Sequence, residues 1–215
     1  MSAAVIVLSA GASRRMGQPK ALLRLDGRSF LQWVVEKAQA LPAAQIVVTL
    51  AAPHGEDICK ELAATGFGMD LPGLRIAWNA HPELGMLSSV QCALALLLPQ
   101  VSQLSGALIW PVDIPRVQAQ TLQRIVEVAA TQPGLVVPTY GGRGGHPLWL
   151  PRALFAETLQ LPVELGLRAL RTRHPPCLLP VDDEEILRDF DTHEDVRRAL
   201  VDGTENATSA RASEK

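Results

Sequence analysis

Short apolar runs alternate with longer stretches of helical period along almost the whole chain, and this alternation leaves few folds open to it. Strands buried on both faces read as continuous β-branched runs, and the helices joining them must cover those faces. The expected architecture is therefore α/β with a mainly parallel sheet. Ala3–Leu8, Gln45–Leu50, Leu74–Trp78, Gly106–Trp110, Leu135–Tyr140 and His146–Leu150 are the predicted strands. After a turn at Asp26-Gly27, the residues Phe30, Leu31, Val34, Val35, Ala38 and Leu41 mark one buried helix face behind a Ser29 N-cap. Further helices are predicted over Asp57–Ala64, Ser88–Leu98 and Pro151–Gln160, over Val163–Arg173, and around Leu122, Ile125, Val126 and Ala129. Cys177–Val181 and Arg188–Phe190 read as extended, and a capping box of Thr192 with Asp195 opens a last helix over Thr192–Val201, with Val196, Ala199 and Leu200 as its buried stripe. Gly141–Gly145 is expected to be a pliant loop between two strands.

At 215 residues and 47% hydrophobic composition, one domain over residues 1–202 is the default, followed by a polar, aperiodic tail from 203 to 215 that is expected to be disordered. A formal charge of −2 and a pI near 6.2 provide no basic field for nucleic acid. Cys59, Cys92 and Cys177 are odd in number and fit neither a disulfide framework nor a zinc site, so reduced thiols are expected. The first apolar run has no basic leader and no cleavage site, and no run is long enough to span a bilayer. These features point to the cytoplasm, without a membrane partner.

The first strand leads into Leu8-Ser9-Ala10-Gly11-Ala12-Ser13-Arg14-Arg15-Met16-Gly17-Gln18-Pro19-Lys20. Open α/β sheets bind ligands at the carboxyl ends of their strands. Glycines 11 and 17 let backbone N–H groups approach an anion, while Arg14, Arg15 and Lys20 add charge-assisted donors, a combination suited to a polyphosphate. Neither a Walker loop nor G-x-G-x-x-G is present. Farther along, Asp113 in Trp110-Pro111-Val112-Asp113-Ile114-Pro115 stands just past a strand, where a hard divalent cation shared with a triphosphate needs an oxygen ligand.

The N-terminal segment resembles the signature of the molybdenum cofactor nucleotidyltransferases, the MobA-like NTP transferases, L-x-(A/G)-G-x-S-x-R-M-G-x-x-K, at every fixed position. Three later segments resemble the same family in order: N…G-M-x-S-S at Asn79 and Gly85–Ser89, x-D-x-P around Asp113, and D-x-D-T-P-E-D at Asp189–Asp195, where His193 replaces proline. Gly141–Gly145 with His146-Pro147 is similar to the G-x-x-G-H-P of the cytidylyltransferase branch. The resemblance implies a single Rossmann-like three-layer α/β/α domain with a mixed, mainly parallel sheet. It implies Mg²⁺-dependent transfer of a nucleotidyl group, CMP from CTP in preference to GTP because of Ala10 and the His146 segment, to molybdopterin or molybdenum cofactor.

By that resemblance Lys20, Arg15 and Asp113 are catalytic, and Leu8, Ala10, Gly11, Ser13, Arg14, Arg15, Lys20, Asn79, Gly85, Ser88 and Ser89 bind the nucleotide. Asp113 and Asp191 hold the metal, with Asp189 in support because strand alternation points it to the same face as Asp191. Ser88 or Ser89 doubles as the N-cap of the helix that follows. Gly144, Gly145 and His146 face the acceptor; His146 either touches the acceptor phosphate or bonds its own loop without doing chemistry. Transient contact with a molybdoenzyme or its chaperone is implied for product release. The Trp110-Pro111 pair is bulkier than the family pattern and bears on the shape around the ribose. Three alternatives stay open: a nucleotidyltransferase acting on sugar phosphates or other small phosphates, an NADPH-dependent oxidoreductase like nicotine blue oxidoreductase, and a nucleotide-binding regulator without turnover, which the Trp110-Pro111 departure suggests.

Overall fold

The computed structural model describes residues 2–11, 17–66, 73–192 and 194–198, with the side chains of 43 and 44 excepted. Strand β1 (Ser2–Leu8) is buried over its middle five residues and lies at the centre of the main sheet. Its alternate side chains feed two cores. Ala3, Val5 and Val7 meet one apolar layer, and Ala4 and Ile6 meet the other. A strand apolar on both faces needs helices on both sides, and the three-layer arrangement follows.

A small hairpin, β2 (Arg24–Leu25) and β3 (Arg28–Ser29), turns at Asp26-Gly27 and leads into α1 (Phe30–Gln39). Ser29 Oγ accepts from Gln32 N at 3.1 Å, which caps α1 as expected. Phe30, Leu31, Val34, Val35 and Ala38 are wholly buried on its inner face, each apolar side chain larger than alanine contributing about 1.5–3 kcal/mol of transfer free energy. Leu31→Ala alone is therefore expected to cost ~2–5 kcal/mol. β4 (Ala43–Leu50), α2 (Gly55–Ala64), β5 (Leu74–Trp78) and α3 (Met86–Leu97) follow. A short 3₁₀ segment, Leu98–Gln103, connects α3 to β6 (Leu104–Pro111), and α4 (Ala119–Thr131) succeeds it. The chain continues through β7 (Val136–Tyr140), β8 (Arg143–Gly144), β9 (Leu148–Pro151), α5 (Phe155–Gln160), α6 (Arg168–Arg173) and β10 (Cys177–Pro180). Residues 194–198 are helical.

The sheet runs β10-β7-β9-β6-β1-β4-β5, with β8 paired to β7. Only β9 and β8 oppose the rest; every other pairing is parallel. The carboxyl ends of β1, β4, β5, β6, β7 and β10 thus share one edge. The mixed, mainly parallel three-layer expectation holds.

Three local expectations need correction. Gly141–Gly145 is not a pliant loop: Gly141 (φ 55°) and Gly142 (φ 78°) form a two-residue turn that pairs Tyr140 with Arg143 and Thr139 with Gly144. The helix expected over Val163–Arg173 splits into a 3₁₀ turn, Val163–Leu165, and α6, because Gly166 takes φ 61° between them. Residues 188–190 form no strand, so the alternation argument for Asp189 and Asp191 fails; Asp189 is exposed. The Thr192–Asp195 box is present: Thr192 N donates to Asp195 Oδ2 at 2.7 Å, and Asp195 N donates to Thr192 Oγ1 at 3.2 Å. The three cysteines are free and half-buried. Ala199, Leu200 and the tail from 203 lie outside the described residues. No helix among the described residues is long and apolar enough to cross a membrane.

Candidate active site

The exit of β1 is held by both neighbouring strands. Leu8 pairs with Pro111 of β6, and Val112 N donates to Leu8 O at 3.0 Å. On the other side, Thr49 Oγ1 of β4 accepts from Ser9 N at 3.2 Å and donates to Val7 O at 3.3 Å. The backbone that leaves toward Gly11 is thereby set at the sheet edge. Ser9 Oγ is itself buried and meets no hydrogen-bond partner among the described residues.

A cleft of about 550 Å³ opens over this edge. Leu8, Ser9, Ala10, Gly11, Lys20 and Ala21 line one wall, and Pro82, Gly85, Met86 and Ser89 line a second. Pro111, Val112, Asp113 and Asp191 close it. Lys20 rises from a 3₁₀ turn between the buried Pro19 and Ala21, and its Nζ lies 2.7 Å from Asp113 Oδ2 and 2.5 Å from Asp191 Oδ1. Burial pulls the Lys20 pKa down, but the two carboxylates outweigh it and hold the ammonium above its ordinary value.

Asp191 reaches the cleft from far along the chain because the residues before it are docked. Phe190 N donates to Asp113 O at 3.1 Å, and the buried Phe190 ring packs on Phe30 with centroids 5.2 Å apart. Upstream, Asp183 is 1% exposed and accepts from Gln118 N at 2.9 Å and Thr121 Oγ1 at 2.7 Å, capping α4 from a distant segment. Lys37 of α1 donates to Pro115 O at 2.9 Å and Val117 O at 2.8 Å, fixing the loop beyond Asp113. Burial lowers its pKa to about 8.

The expected residues thus divide. Leu8, Ala10, Gly11, Lys20, Gly85, Ser89, Asp113 and Asp191 share the cleft. Asn79 and Ser88 are buried beside it: Asn79 Nδ2 donates to Ser88 Oγ at 2.8 Å and Ser89 Oγ at 2.9 Å, and Ser88 Oγ donates to Gly85 O at 2.8 Å. They shape the wall. Neither serine is an N-cap, because α3 begins at Met86 after Gly85. Ser13, Arg14 and Arg15 lie outside the described residues, as does His193. Trp110 does not narrow the cleft; it is wholly buried in the core, its indole donating to Ile114 O at 2.9 Å, and Pro111 is the member of the pair that reaches the lining.

Gly144, Gly145 and His146 are not among the lining residues of this cleft. Gly145 packs so closely that a Cβ there would meet Ile186 O at 2.3 Å, and His146 N donates to the same carbonyl at 2.9 Å. The imidazole bonds the Ile109 carbonyl, while its Nδ1 is buried without a partner among the described residues. Burial pulls its pKa below 6.5; the Ile109 bond and Asp113 oppose the fall and Arg171 adds to it. Nearby, Tyr140, Gly141, Arg143, Glu184, Leu187 and Arg188 line a second groove of about 410 Å³. Ser9, Met86 and Asp183 escaped the sequence reading. Met86 lay inside a recognised segment, whereas nothing local marks Asp183 as a cap for a helix more than fifty residues earlier.

The MobA-like NTP transferase domain matches residues 5–177. Among solved structures, Rv0371c from Mycobacterium tuberculosis H37Rv is 30% identical, with a TM-score of 0.76 over 93% of this chain and 97% of that one. A complex of Rv0371c with manganese is 26% identical, with a TM-score of 0.70 over 93% and 98% of the two chains. Molybdopterin-guanine dinucleotide biosynthesis protein A from Archaeoglobus fulgidus, at 18% identity, shares the fold, with a TM-score of 0.68 over 94% and 99%. The bifunctional protein GlmU of Acidovorax ebreus is 36% identical over 59% of this chain and 26% of its own length. The match thus spans about a quarter of the curated relative.

Proposed function

We propose that this chain, which belongs to the MobA-like NTP transferase family, transfers a nucleotidyl group from a nucleoside triphosphate, CTP before GTP, to a phosphorylated acceptor of the molybdopterin type and releases pyrophosphate. The observation that carries the reading is the meeting of Lys20 with Asp113 and Asp191 at the mouth of the β1 loop. Anion-binding backbone and cation-binding carboxylates are thus adjacent, which is what a metal–triphosphate complex requires.

In this reading Ala10, Gly11, Lys20 and the arginines 14 and 15, with Ser13, receive the triphosphate, while the Gly85–Ser89 wall braced by Asn79 holds base and ribose. The acceptor phosphate attacks the α-phosphorus in line, the bond to the β-phosphate oxygen breaks, and pyrophosphate leaves. Positioning and charge neutralisation provide the rate, without a protein nucleophile. Two carboxylates focused on one cationic atom fit a divalent ion, which Asp113 and Asp191 would hold; Mg²⁺ is proposed, and the manganese complex of Rv0371c supports a divalent metal. When bound, that ion neutralises charge developing on the triphosphate oxygens. Gly144, Gly145 and His146 are assigned to the acceptor side by the resemblance of their segment to G-x-x-G-H-P, His146 acting there through the loop it holds.

Pyrophosphate release tests this. With Mg²⁺ and CTP the protein is expected to respond to molybdopterin and not to a panel of sugar 1-phosphates. Turnover with sugar phosphates alone moves the assignment to the other acceptor class, and a preference for GTP overturns the base. Oxidation of NADPH without pyrophosphate rejects the transferase.

A further inference from the structure

The two carboxylates assigned to a metal already hold a cation. Lys20 Nζ, 2.7 Å from Asp113 Oδ2 and 2.5 Å from Asp191 Oδ1, sits where a shared divalent ion would sit. Metal–oxygen distances for Mg²⁺ are about 2.0–2.1 Å, so ion and ammonium would contend for almost the same point, and two like charges that close repel strongly. The same lysine closes the loop to which a triphosphate is assigned. Drawn onto phosphates, its ammonium no longer neutralises both carboxylates.

The carboxylate pair is also a poor metal site by itself. Among the described residues, no group of three or more His, Cys, Asp or Glu side chains could hold a metal ion. Mg²⁺ favours six oxygens and is commonly held by one or two carboxylates together with substrate phosphates. A bare ion therefore gains little from displacing Lys20. A triphosphate supplies both missing parts: anions that draw the lysine away, and oxygens that complete the coordination. The movement needs only the side chain, since Leu22 N bonds Pro19 O and Leu23 N bonds Lys20 O, both at 3.0 Å, and the flanking Pro19 and Ala21 are buried.

We infer that Lys20 is the nucleotide-free protein's own counter-ion for Asp113 and Asp191, and that a divalent cation takes its place only when a triphosphate draws the lysine off. Metal and nucleotide then bind cooperatively, each raising the other's affinity by the same factor. The inference rests on the metal-site reading proposed above.

Mn²⁺ binding, followed by the electron paramagnetic resonance of the free ion, separates the two. Without nucleotide, wild type is expected to bind Mn²⁺ weakly, Lys20→Gln at least ~10-fold more tightly, and Lys20→Arg as weakly as wild type. A non-hydrolysable CTP analogue should raise wild-type affinity strongly and Lys20→Gln affinity much less. If Lys20→Gln binds bare Mn²⁺ no better than wild type, the counter-ion role is wrong, although the metal site survives provided Asp113→Asn abolishes binding with the analogue present. If Asp113→Asn leaves that binding intact, the metal site itself is misplaced. Thermal melting reads the same linkage should Lys20→Gln be fragile: Mn²⁺ alone must raise its Tm and leave that of wild type unmoved, and equal shifts reject the inference.

Discussion

The two carboxylates that meet at Lys20 come from halves of the sheet that are built differently. Asp113 belongs to the all-parallel half, β5-β4-β1-β6, and stands two residues beyond the end of a buried strand whose register with β1 is set by its own ladder. Asp191 belongs to the other half, where β9 runs antiparallel between β6 and β7, and where the eleven residues 181–191 contain no strand. Separate long-range bonds hold that stretch: Asp183 at the start of α4, Ile186 O on His146 N, and Phe190 N on Asp113 O. One carboxylate is placed by its strand. The other is placed by a series of anchors, and each anchor gives a remote residue a hold on the cleft.

The largest expected effect tests the two carboxylates directly. Asp113→Asn should lower kcat by at least ~100-fold, the scale for removing a preorganised charge from a transferring phosphoryl group. Asp191→Asn should cost less, because its side chain is 47% exposed against 23% for Asp113 and water screens it more. Pyrophosphate release measures both, and a greater loss at Asp191 would reverse the ranking. Next comes an anchor. Gly145→Ala sets a Cβ 2.3 Å from Ile186 O, so the 181–191 stretch must shift. A loss of ~1–3 kcal/mol in urea unfolding is expected from such overpacking, together with lower turnover, although Gly145 does not line the cleft. Unchanged turnover in a destabilised Gly145→Ala protein would uncouple Asp191 from its anchors.

The same division decides what could be read from the sequence. In the parallel half, burial on both faces writes β1 from Ala3 and β6 from Gly106 as apolar runs, and Ser29 caps its helix from the adjacent position, so local pattern and structure agree. Asp113 follows directly, standing two residues past a strand end, and Lys20 follows as the last residue of the motif that begins at Leu8. In the other half, local pattern misleads. Arg188–Phe190 alternates like a strand, but Arg188 N donates to Glu185 O and Phe190 N to Asp113 O, and it joins no ladder among the described residues. Five residues with four glycines read as slack, yet two positive φ values make a tight turn of them. Ser88 and Ser89 read as caps because their hydroxyls suit a helix start; their hydroxyls instead hold Asn79, a contact set by tertiary packing.

Two helix caps carry this contrast into a measurement. Ser29 caps α1 from the preceding residue, and Asp183 caps α4 with a buried carboxylate that accepts from Gln118 N, Thr121 Oγ1 and Glu185 N. Asp183→Ala takes the acceptor from those donors, of which Thr121 Oγ1 is buried, and should cost ~1–3 kcal/mol, whereas Ser29→Ala should cost about 1 kcal/mol. Only Asp183→Ala should also reduce turnover, since it frees the segment leading to Asp191. Equal stability losses with intact turnover in both variants would show that the second half is as locally held as the first.

The smallest expected effect concerns His146, the second half's titratable group closest in kind to a switch. Its folded pKa lies below the ordinary 6.5, chiefly through burial, with the Ile109 carbonyl and Asp113 opposing and Arg171 assisting. As pH falls through 6.5 the unfolded chain takes up the proton first, and stability falls wherever the unfolded state binds more protons. The contribution of a neutral His146 is thus complete above 6.5 and lost as pH drops toward the folded pKa. In urea titrations at about pH 7.5 and about pH 5, the stability advantage of wild type over His146→Gln should shrink at the lower pH. No group of the parallel half that shapes the β1 exit, Ser9 or Thr49, titrates in this window, so a pH-dependent difference of this sign places the acid sensitivity in the anchored half. A difference that stays constant with pH would mean that the imidazole titrates alike in both states, and that its buried Nδ1 imposes no penalty on the proton.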